Sequence, residues 1–265
     1  MARFAAVLFD LDGTLVDPGE GIAHTIQFVL DSLAFPYRFD GSVPWYVGPP
    51  LSEIFSTVLP PDSRNDELIE HAVSLYIERF ATHGALESIV YPGISEIVAT
   101  LSISTRLFLV TSKNTAVAEQ MLNAHLLREH FEGVVGTERD SRFTNKADAV
   151  RFILTQANLN PETTAIVGDR LHDIIAGKDN QIFTVGVTYG YGTKRELTNA
   201  GADQTCDTPH ELLGLLRKSG RPSLERSVRR LECHFKSRDA QIRLCAHNIM
   251  PLRQKSQMSI TGSPP

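Results

Sequence analysis

Apolar and polar positions alternate along residues 90–216 in a pattern that predicts strands and helices in turn. Short apolar runs have the length of buried strands, and the segments between them repeat apolar residues with helical spacing. The run from Ala5 to Phe9 comes earlier and is a further predicted strand, which ends in a turn at Gly13. Such alternation favours parallel strands joined by crossover helices. We therefore predict an α/β fold with a doubly wound parallel sheet.

The later predicted strands are 106–112, 133–136, 164–167, 183–187 and 202–206. The helices predicted from residue 94 onward are 94–103, 116–127, 146–157, 172–181 and 212–216.

The block from residue 17 to residue 88 carries helical patterns only. Asp17 is the predicted N-cap and Pro18 the first residue of a helix. Further helices are predicted over 51–59 and 65–83. Because no strand pattern interrupts the block, we predict an all-helical cap, residues 17–88, inserted into a catalytic core made of residues 1–16 and 89–218.

Composition is that of a globular protein. The chain has 265 residues, a net charge of −5 and 42% hydrophobic residues. Its three cysteines, Cys206, Cys233 and Cys245, show no paired spacing, which argues against a disulfide framework or a zinc cluster. Acidic residues interrupt the first apolar run, and no run reaches the roughly 18 residues that a membrane helix needs. We expect a cytoplasmic protein without membrane contact.

Charge is concentrated at the C-terminal end. From Arg217 onward the chain has eleven basic and three acidic residues, a net charge of +8, so the remainder carries −13. Residues 219–265 lack a sustained apolar period, which predicts a basic, poorly ordered tail. A solvated extension accounts for its charge better than nucleic-acid binding, because its basic residues are interleaved with polar rather than aromatic ones.

Chemically useful side chains follow the predicted strands at one edge of the sheet. They are Asp10 and Asp12, then Thr111 and Ser112, then Asp169 and Asp173, with Lys146 at the start of a helix. Asp10 and Asp12 project together, since residues two apart on an extended chain share a face. A calcium loop starting at Asp10 is excluded, because its twelfth position is Gly21 rather than a glutamate.

These residue types suit phosphoryl transfer through an aspartyl-phosphate. Asp10 would attack as the nucleophile, and Asp12 would act as general acid and base. Mg²⁺ would be held by Asp10, Asp169 and the backbone carbonyl of Asp12, with Asp173 holding a metal-bound water or Lys146. We expect phosphoryl oxygens to be bound by the Thr111 hydroxyl, the Ser112 amide and the Lys146 ammonium.

Four ordered motifs resemble those of the haloacid dehalogenase superfamily. They are the stretch Asp-Leu-Asp-Gly-Thr-Leu from Asp10, the Thr111-Ser112 pair, Lys146, and the Gly-Asp segment from Gly168 to Asp173. The resemblance covers residues 5–216 and implies a Rossmann-like core with an inserted helical cap. Ser112 departs from the Asn that many relatives have at that position.

Within the superfamily the chain looks most like phosphoglycolate phosphatases and bacterial 5′-nucleotidases. The second branch is favoured by Val-Gly-Pro-Pro-Leu at 47–51 and by the Gly- and Tyr-rich stretch 186–192. We take Gly48 and Pro49 as substrate-binding candidates. Trp45 and Tyr46 fit a substrate platform and a cap core equally well.

Other reactions of the superfamily require residues different from those of a phosphatase. Asp12 argues against a dehalogenase, whose leaving halide needs no proton. Schiff-base phosphonate hydrolysis needs a cap lysine, and no lysine precedes Lys113. A sugar phosphomutase and a binding protein using the basic tail remain alternatives. We predict a Mg²⁺-dependent phosphatase for a small soluble phosphomonoester, either 2-phosphoglycolate or a 5′-nucleotide.

Overall fold

The computed structural model describes residues 3–35, 38–40, 46–47, 50–137, 143 and 145–217. Its strands are β1 Ala6–Phe9, β2 Val16–Asp17, β3 Ile89–Val90, β4 Arg106–Asn114, β5 Gly133–Thr137, β6 Thr164–Gly168, β7 Phe183–Val187 and β8 Gln204–Cys206. Its α-helices are α1 Gly19–Ser32, α2 Leu51–Val58, α3 Asp66–Thr82, α4 Ile94–Ser102, α5 Thr115–Ala124, α6 Lys146–Gln156, α7 Leu171–Asp179, α8 Lys194–Asn199 and α9 Pro209–Leu216.

The main sheet has six parallel strands in the order β5-β4-β1-β6-β7-β8. Strand β1 lies in the middle, with Phe9 paired to Leu109 on one side and to Val167 on the other. All four β1 residues are fully buried, as their uninterrupted apolar run predicts. The predicted doubly wound parallel sheet is confirmed. Its carboxyl edge therefore collects the residues that follow β1, β4 and β6.

Alternate side chains of each strand divide the core into two layers. Val7 and Phe9 belong to one apolar cluster, which also holds residues of α4, α5 and α9. Ala6 and Leu8 belong to the other, which holds residues of α6 and α7. Helices therefore cover both faces of the sheet, because strands with apolar residues on both faces must be covered twice.

Helices α1, α2 and α3 occupy the predicted cap region, followed by a 3₁₀ turn at Gly84–Glu87. Their apolar side chains, among them Ile26, Phe55 and Phe80, belong to the same cluster as Phe9 of the sheet. The Asn65 side chain starts α3 by accepting from the Leu68 amide at 2.9 Å. The exact division of core and cap stays a prediction.

The cap entry differs from the sequence prediction. Asp17 is not the N-cap: it pairs with Ile89 in a short antiparallel ribbon of β2 and β3. Helix α1 begins at Gly19 with Pro18 at its N-cap, and the Asp17 carboxylate accepts from the Gly19 amide at 2.9 Å. Asp17 pairs with a segment more than 70 positions away in the chain, so no local sequence pattern predicts this ribbon.

Helix α8 was also absent from the prediction, and Thr193 caps it. Several residues named in the sequence analysis lie outside the described residues, and so does the predicted tail. They are Trp45, Gly48, Pro49, Cys233, Cys245 and the tail 219–265. The remaining cysteine, Cys206, is a buried free thiol. None of the described helices is long and apolar enough to cross a membrane.

The contact between α1 and the turn Gly84–Glu87 generates a stability prediction. A Cβ at Gly21 would lie 2.0 Å from the Gly84 carbonyl oxygen. We expect Gly21→Ala to lower the free energy of unfolding by about 1–3 kcal/mol, since one of the two segments must move. Urea denaturation measures this change.

The matched control is Gly214→Ala in α9, where an added Cβ meets nothing within 4 Å. It should raise the free energy of unfolding by about 0.5–1 kcal/mol, because alanine favours helix over glycine. A Gly21→Ala protein as stable as the wild type would show that the two segments are not tightly packed.

Candidate active site

Asp10 lies immediately after β1 and is the centre of the site. Its amide donates to the Val167 carbonyl at 2.9 Å, which continues the β1–β6 pairing by one residue. Its side chain is nearly buried, with the residue 7% exposed. The Lys146 Nζ atom lies 2.8 Å from Asp10 Oδ1 and 2.5 Å from Asp173 Oδ1. One ammonium group thus joins two carboxylates that are 163 positions apart in the chain.

Lys146 is the first residue of α6, and the preceding Asn145 caps that helix by accepting from the Asp148 amide at 3.0 Å. Its side chain is 8% exposed. Burial opposes the charged form, but the carboxylates of Asp10 and Asp173 outweigh it and raise the pKa of Lys146. The ammonium charge is therefore retained at neutral pH.

A third carboxylate completes an acidic cluster. Oxygen atoms of Asp10, Asp169 and Asp173 lie within 4.8 Å of one another. Burial and the charges of Asp10 and Asp173 raise the pKa of Asp169 to about 8. Its Oδ1 atom is buried without a hydrogen-bond partner among the described residues. One lysine cannot neutralise three carboxylates, so the cluster keeps excess negative charge. Several hard oxygen donors this close together suit the binding of a divalent cation.

Asp169 is in close contact with two loops, one containing Gly13 and the other containing Gly190 and Tyr191. Gly13 has φ +77°, and a Cβ there would lie 2.1 Å from Asp169 Oδ2. The Tyr191 amide donates to the same oxygen, Asp169 Oδ2, at 2.8 Å, and a Cβ at Gly190 would lie 2.6 Å from the Asp169 Cβ. The Tyr191 hydroxyl donates to the Asp17 carboxylate beside the cap entry. The Gly- and Tyr-rich stretch thus holds the acidic cluster, a role that its sequence did not reveal.

Asp12 stands apart from the acidic cluster. Its Oδ2 atom lies 2.9 Å from Lys113 Nζ, and its Oδ1 atom is buried without a hydrogen-bond partner in the described part of the chain. Burial raises the pKa of Asp12, although the Lys113 charge opposes this. Lys113 is not among the site residues predicted from the sequence. Its only sequence signal was its place directly after the Thr111-Ser112 pair.

Thr111 and Ser112 lie within β4 rather than at its end, since the strand continues to Asn114 through an irregular register after Val110. Both line the cavity, and their binding of phosphoryl oxygens stays a prediction. Thr111 is nearly buried, and its hydroxyl oxygen accepts from the Lys113 amide at 3.2 Å.

A cavity of about 390 Å³ adjoins these residues. Its floor consists of the acidic cluster with Lys146, Asp12 and Thr111. Its other lining residues come mainly from the helical insertion and are mostly aromatic or aliphatic: Ile22, Tyr46, Val47, Leu51, Ile54, Tyr76, Ile77 and Phe80. Arg170 and His172 also line it, and Arg170 is ion-paired with Glu196 at 2.9 Å. The candidates Gly48 and Pro49 lie outside the described residues.

Buried carboxylates clustered on a cavity are costly to fold and are characteristic of catalytic sites. On a doubly wound sheet, at the carboxyl edge of its strands, they define a Rossmann-like enzyme. Comparison gives the family: residues 7–187, more than half of the chain, match the haloacid dehalogenase-like hydrolase family, and the chain belongs to it. The resemblance stated from the four motifs is confirmed.

Several relatives have named activities. A 5′-nucleotidase of Pseudomonas aeruginosa is 34% identical over 74% of this chain and 87% of its own length. The tyrosine-protein kinase PtkA of Mycobacterium tuberculosis is 30% identical, over 79% and 72%. A phosphoglycolate phosphatase of Chromobacterium violaceum is 27% identical, over 82% and 98%.

A solved structure gives the same result. The crystal structure of a putative phosphatase from Clostridium difficile matches this chain with a TM-score of 0.75 and 32% sequence identity. The match covers 81% of this chain and 99% of that one. The family and its phosphatase-named members confirm the predicted enzyme class, a phosphoric monoester hydrolase.

The paired carboxylates around Lys146 generate a stability prediction. Lys146→Met should lower the free energy of unfolding by about 3–5 kcal/mol at neutral pH without divalent cations, because it leaves buried carboxylates without their counter-ion. Thermal or urea denaturation measures the change.

Lys178→Met is the matched control, since Lys178 forms an ion pair with Asp203 at the surface, where its side chain is 39% exposed. Its effect should not exceed about 1 kcal/mol. Equal stability of the Lys146 and Lys178 variants would contradict a stabilising role for the buried ammonium.

Proposed function

We propose that the chain is a Mg²⁺-dependent phosphatase that hydrolyses a small phosphomonoester through an aspartyl-phosphate on Asp10. The observation that carries this proposal is the pairing of Asp10 with Lys146 at 2.8 Å, beside two further carboxylates. A nucleophilic carboxylate needs its negative charge held in place and compensated, and both conditions are met here.

The first half-reaction is attack of an Asp10 carboxylate oxygen on the phosphorus atom. The bond from phosphorus to the leaving oxygen breaks, and Asp12 donates a proton to that oxygen. In the second half-reaction Asp12 takes a proton from water, whose oxygen attacks the phosphorus of the aspartyl-phosphate. The acyl-phosphate bond breaks, which releases inorganic phosphate and restores the Asp10 carboxylate.

The residues around Asp10 stabilise charge on the phosphoryl group. Lys146 supplies a positive charge, and the Thr111 hydroxyl and the Ser112 amide donate hydrogen bonds to phosphoryl oxygens. Asp10 and Asp169, assisted by Asp173 and the Asp12 backbone carbonyl, would hold Mg²⁺. The bound ion would offset the repulsion between Asp10 and a phosphate dianion.

The cavity lining favours a nucleoside over glycolate as the leaving group. The Lys and Arg residues of the described lining are Lys113, Lys146 and Arg170, and each is already in an ion pair with a carboxylate of this chain. A glycolate carboxylate would need a cation of its own. Tyr46 and Tyr76 contribute aromatic rings to the lining, and a nucleobase can pack against them. We therefore propose a 5′-nucleotide as the substrate, and a cytoplasmic location suits such a metabolite.

Phosphate release tests the reaction. The purified protein should release phosphate from a 5′-nucleotide in the presence of Mg²⁺ and lose this activity with EDTA. Asp10→Asn should abolish turnover without unfolding the protein, because an amide cannot form the acyl-phosphate. Asp148→Asn, at a half-buried site paired with Arg151 on α6, is the control and should keep wild-type activity. Activity surviving in Asp10→Asn would overturn the mechanism, and phosphate transfer to a sugar without release would indicate a mutase.

Substrate preference tests the leaving group. We expect kcat/KM to be at least tenfold higher for a 5′-nucleotide than for 2-phosphoglycolate. Tyr76→Leu should lower kcat/KM for the nucleotide by about five- to 150-fold, if stacking contributes about 1–3 kcal/mol, and change that for 2-phosphoglycolate little. Phe28→Ala, an exposed cap aromatic outside the cavity lining, is the control. Equal losses on both substrates would refute base stacking on Tyr76.

A further inference from the structure

Lys113 connects three parts of the protein that are distant in sequence. It lies near the end of β4, and its Nζ atom is 2.9 Å from Asp12 Oδ2, after β1. The same Nζ atom lies 4.3 Å from the ring centroid of Phe80, in α3 of the helical insertion. The Lys113 side chain is 13% exposed. One ammonium therefore contacts both the catalytic edge of the sheet and a helix that covers it.

We propose that Lys113 is a positioning residue: it fixes one oxygen of Asp12 and so orients the carboxyl group that exchanges a proton with the leaving group, and Phe80 holds Lys113 there from the cap. This inference rests on the proposed phosphatase function, because it assigns a task to the acid and base of that reaction. It assigns Lys113 no direct contact with the substrate.

The two oxygens of Asp12 have different surroundings. Lys113 binds Oδ2, whereas Oδ1 is buried with no hydrogen-bond partner among the described residues, although Asp12 lines the cavity. A buried oxygen without a partner is unfavourable, so the contact of Oδ2 with Lys113 is the interaction that keeps the carboxyl group in this orientation. A lysine is a point charge that engages one oxygen, whereas a bidentate arginine would occupy both. Fixing Oδ2 also orients Oδ1, and orientation of a proton donor contributes directly to rate.

Phe80 is itself held firmly. Its ring stacks on Tyr76 with centroids 5.5 Å apart and planes 8° apart, and the residue is 6% exposed. The ring face attracts the ammonium through its quadrupole, and the attraction strengthens where water is excluded. Because Phe80 belongs to α3 and Asp12 to the sheet edge, the position of α3 influences the orientation of the acid. The proton donor is then correctly placed only when the cap lies against the core.

A series of leaving groups separates this role from ordinary substrate binding. p-Nitrophenolate departs without needing a proton, whereas phenolate and alkoxide leaving groups require one. Lys113→Met should therefore lower kcat/KM for phenyl phosphate and for a 5′-nucleotide by about ten- to hundredfold, and for p-nitrophenyl phosphate by less than about threefold. Phe80→Leu should shift the series in the same direction by a smaller factor. Lys178→Met, at the surface, should leave the whole series unchanged.

The double variant gives a second readout. If Lys113 acts through Asp12, then Lys113→Met should cost little in an Asp12→Asn background, since their effects on one proton transfer cannot add. A loss by Lys113→Met that is uniform across the leaving groups, or that adds fully to Asp12→Asn, would overturn the proposal and point to direct contact of Lys113 with the substrate.

A crystal structure of Lys113→Met tests the positioning without any turnover. The Asp12 carboxylate should rotate or become disordered there, and a carboxylate unmoved from its wild-type position would refute the role of Lys113. Failure of the wild-type protein to release phosphate from any substrate would refute the phosphatase proposal instead, so the two failures are distinguishable.

Discussion

The structure depends on burying one ammonium among three carboxylates at the edge of a parallel sheet. Lys146 contacts Asp10 and Asp173 directly, and Asp169 adds a third acidic group within the same small volume. Groups of this kind are stable out of water only when paired and hydrogen-bonded. The arrangement leaves excess negative charge on a cavity, which is the electrostatic condition for holding a divalent cation beside a nucleophile.

The surrounding chain shows how this cluster is kept in place. Asp173 accepts from the Arg170 amide at 3.0 Å, so the residue that binds Lys146 also caps the start of α7. Asp169 is closely approached by Gly13 and by the loop of Tyr191. Side chains larger than hydrogen at the nearest glycines would collide with Asp169. Local backbone requirements and the electrostatics of the site are thus satisfied by the same residues.

The cavity is lined by two different parts of the molecule. The sheet edge supplies the charged groups, whereas the helical insertion supplies the aromatic and aliphatic surface facing them. The contact of Lys113 with Phe80 and with Asp12 is a point at which the two parts meet in the described structure.

Local patterns in the sequence predict the six strands of the main sheet, the helices of the insertion and the motif residues around Asp10, because apolar periodicity and strand-end carboxylates can be recognised without the tertiary structure. They do not predict the β2–β3 ribbon, helix α8 or the position of Asp17 within a strand. Two contacts of the site are visible only in the tertiary structure. They are the ion pair of Lys113 with Asp12 and the hydrogen bond from the Tyr191 amide to Asp169. Each joins residues far apart in the chain, and such contacts depend on strand order and helix packing, which no local pattern records.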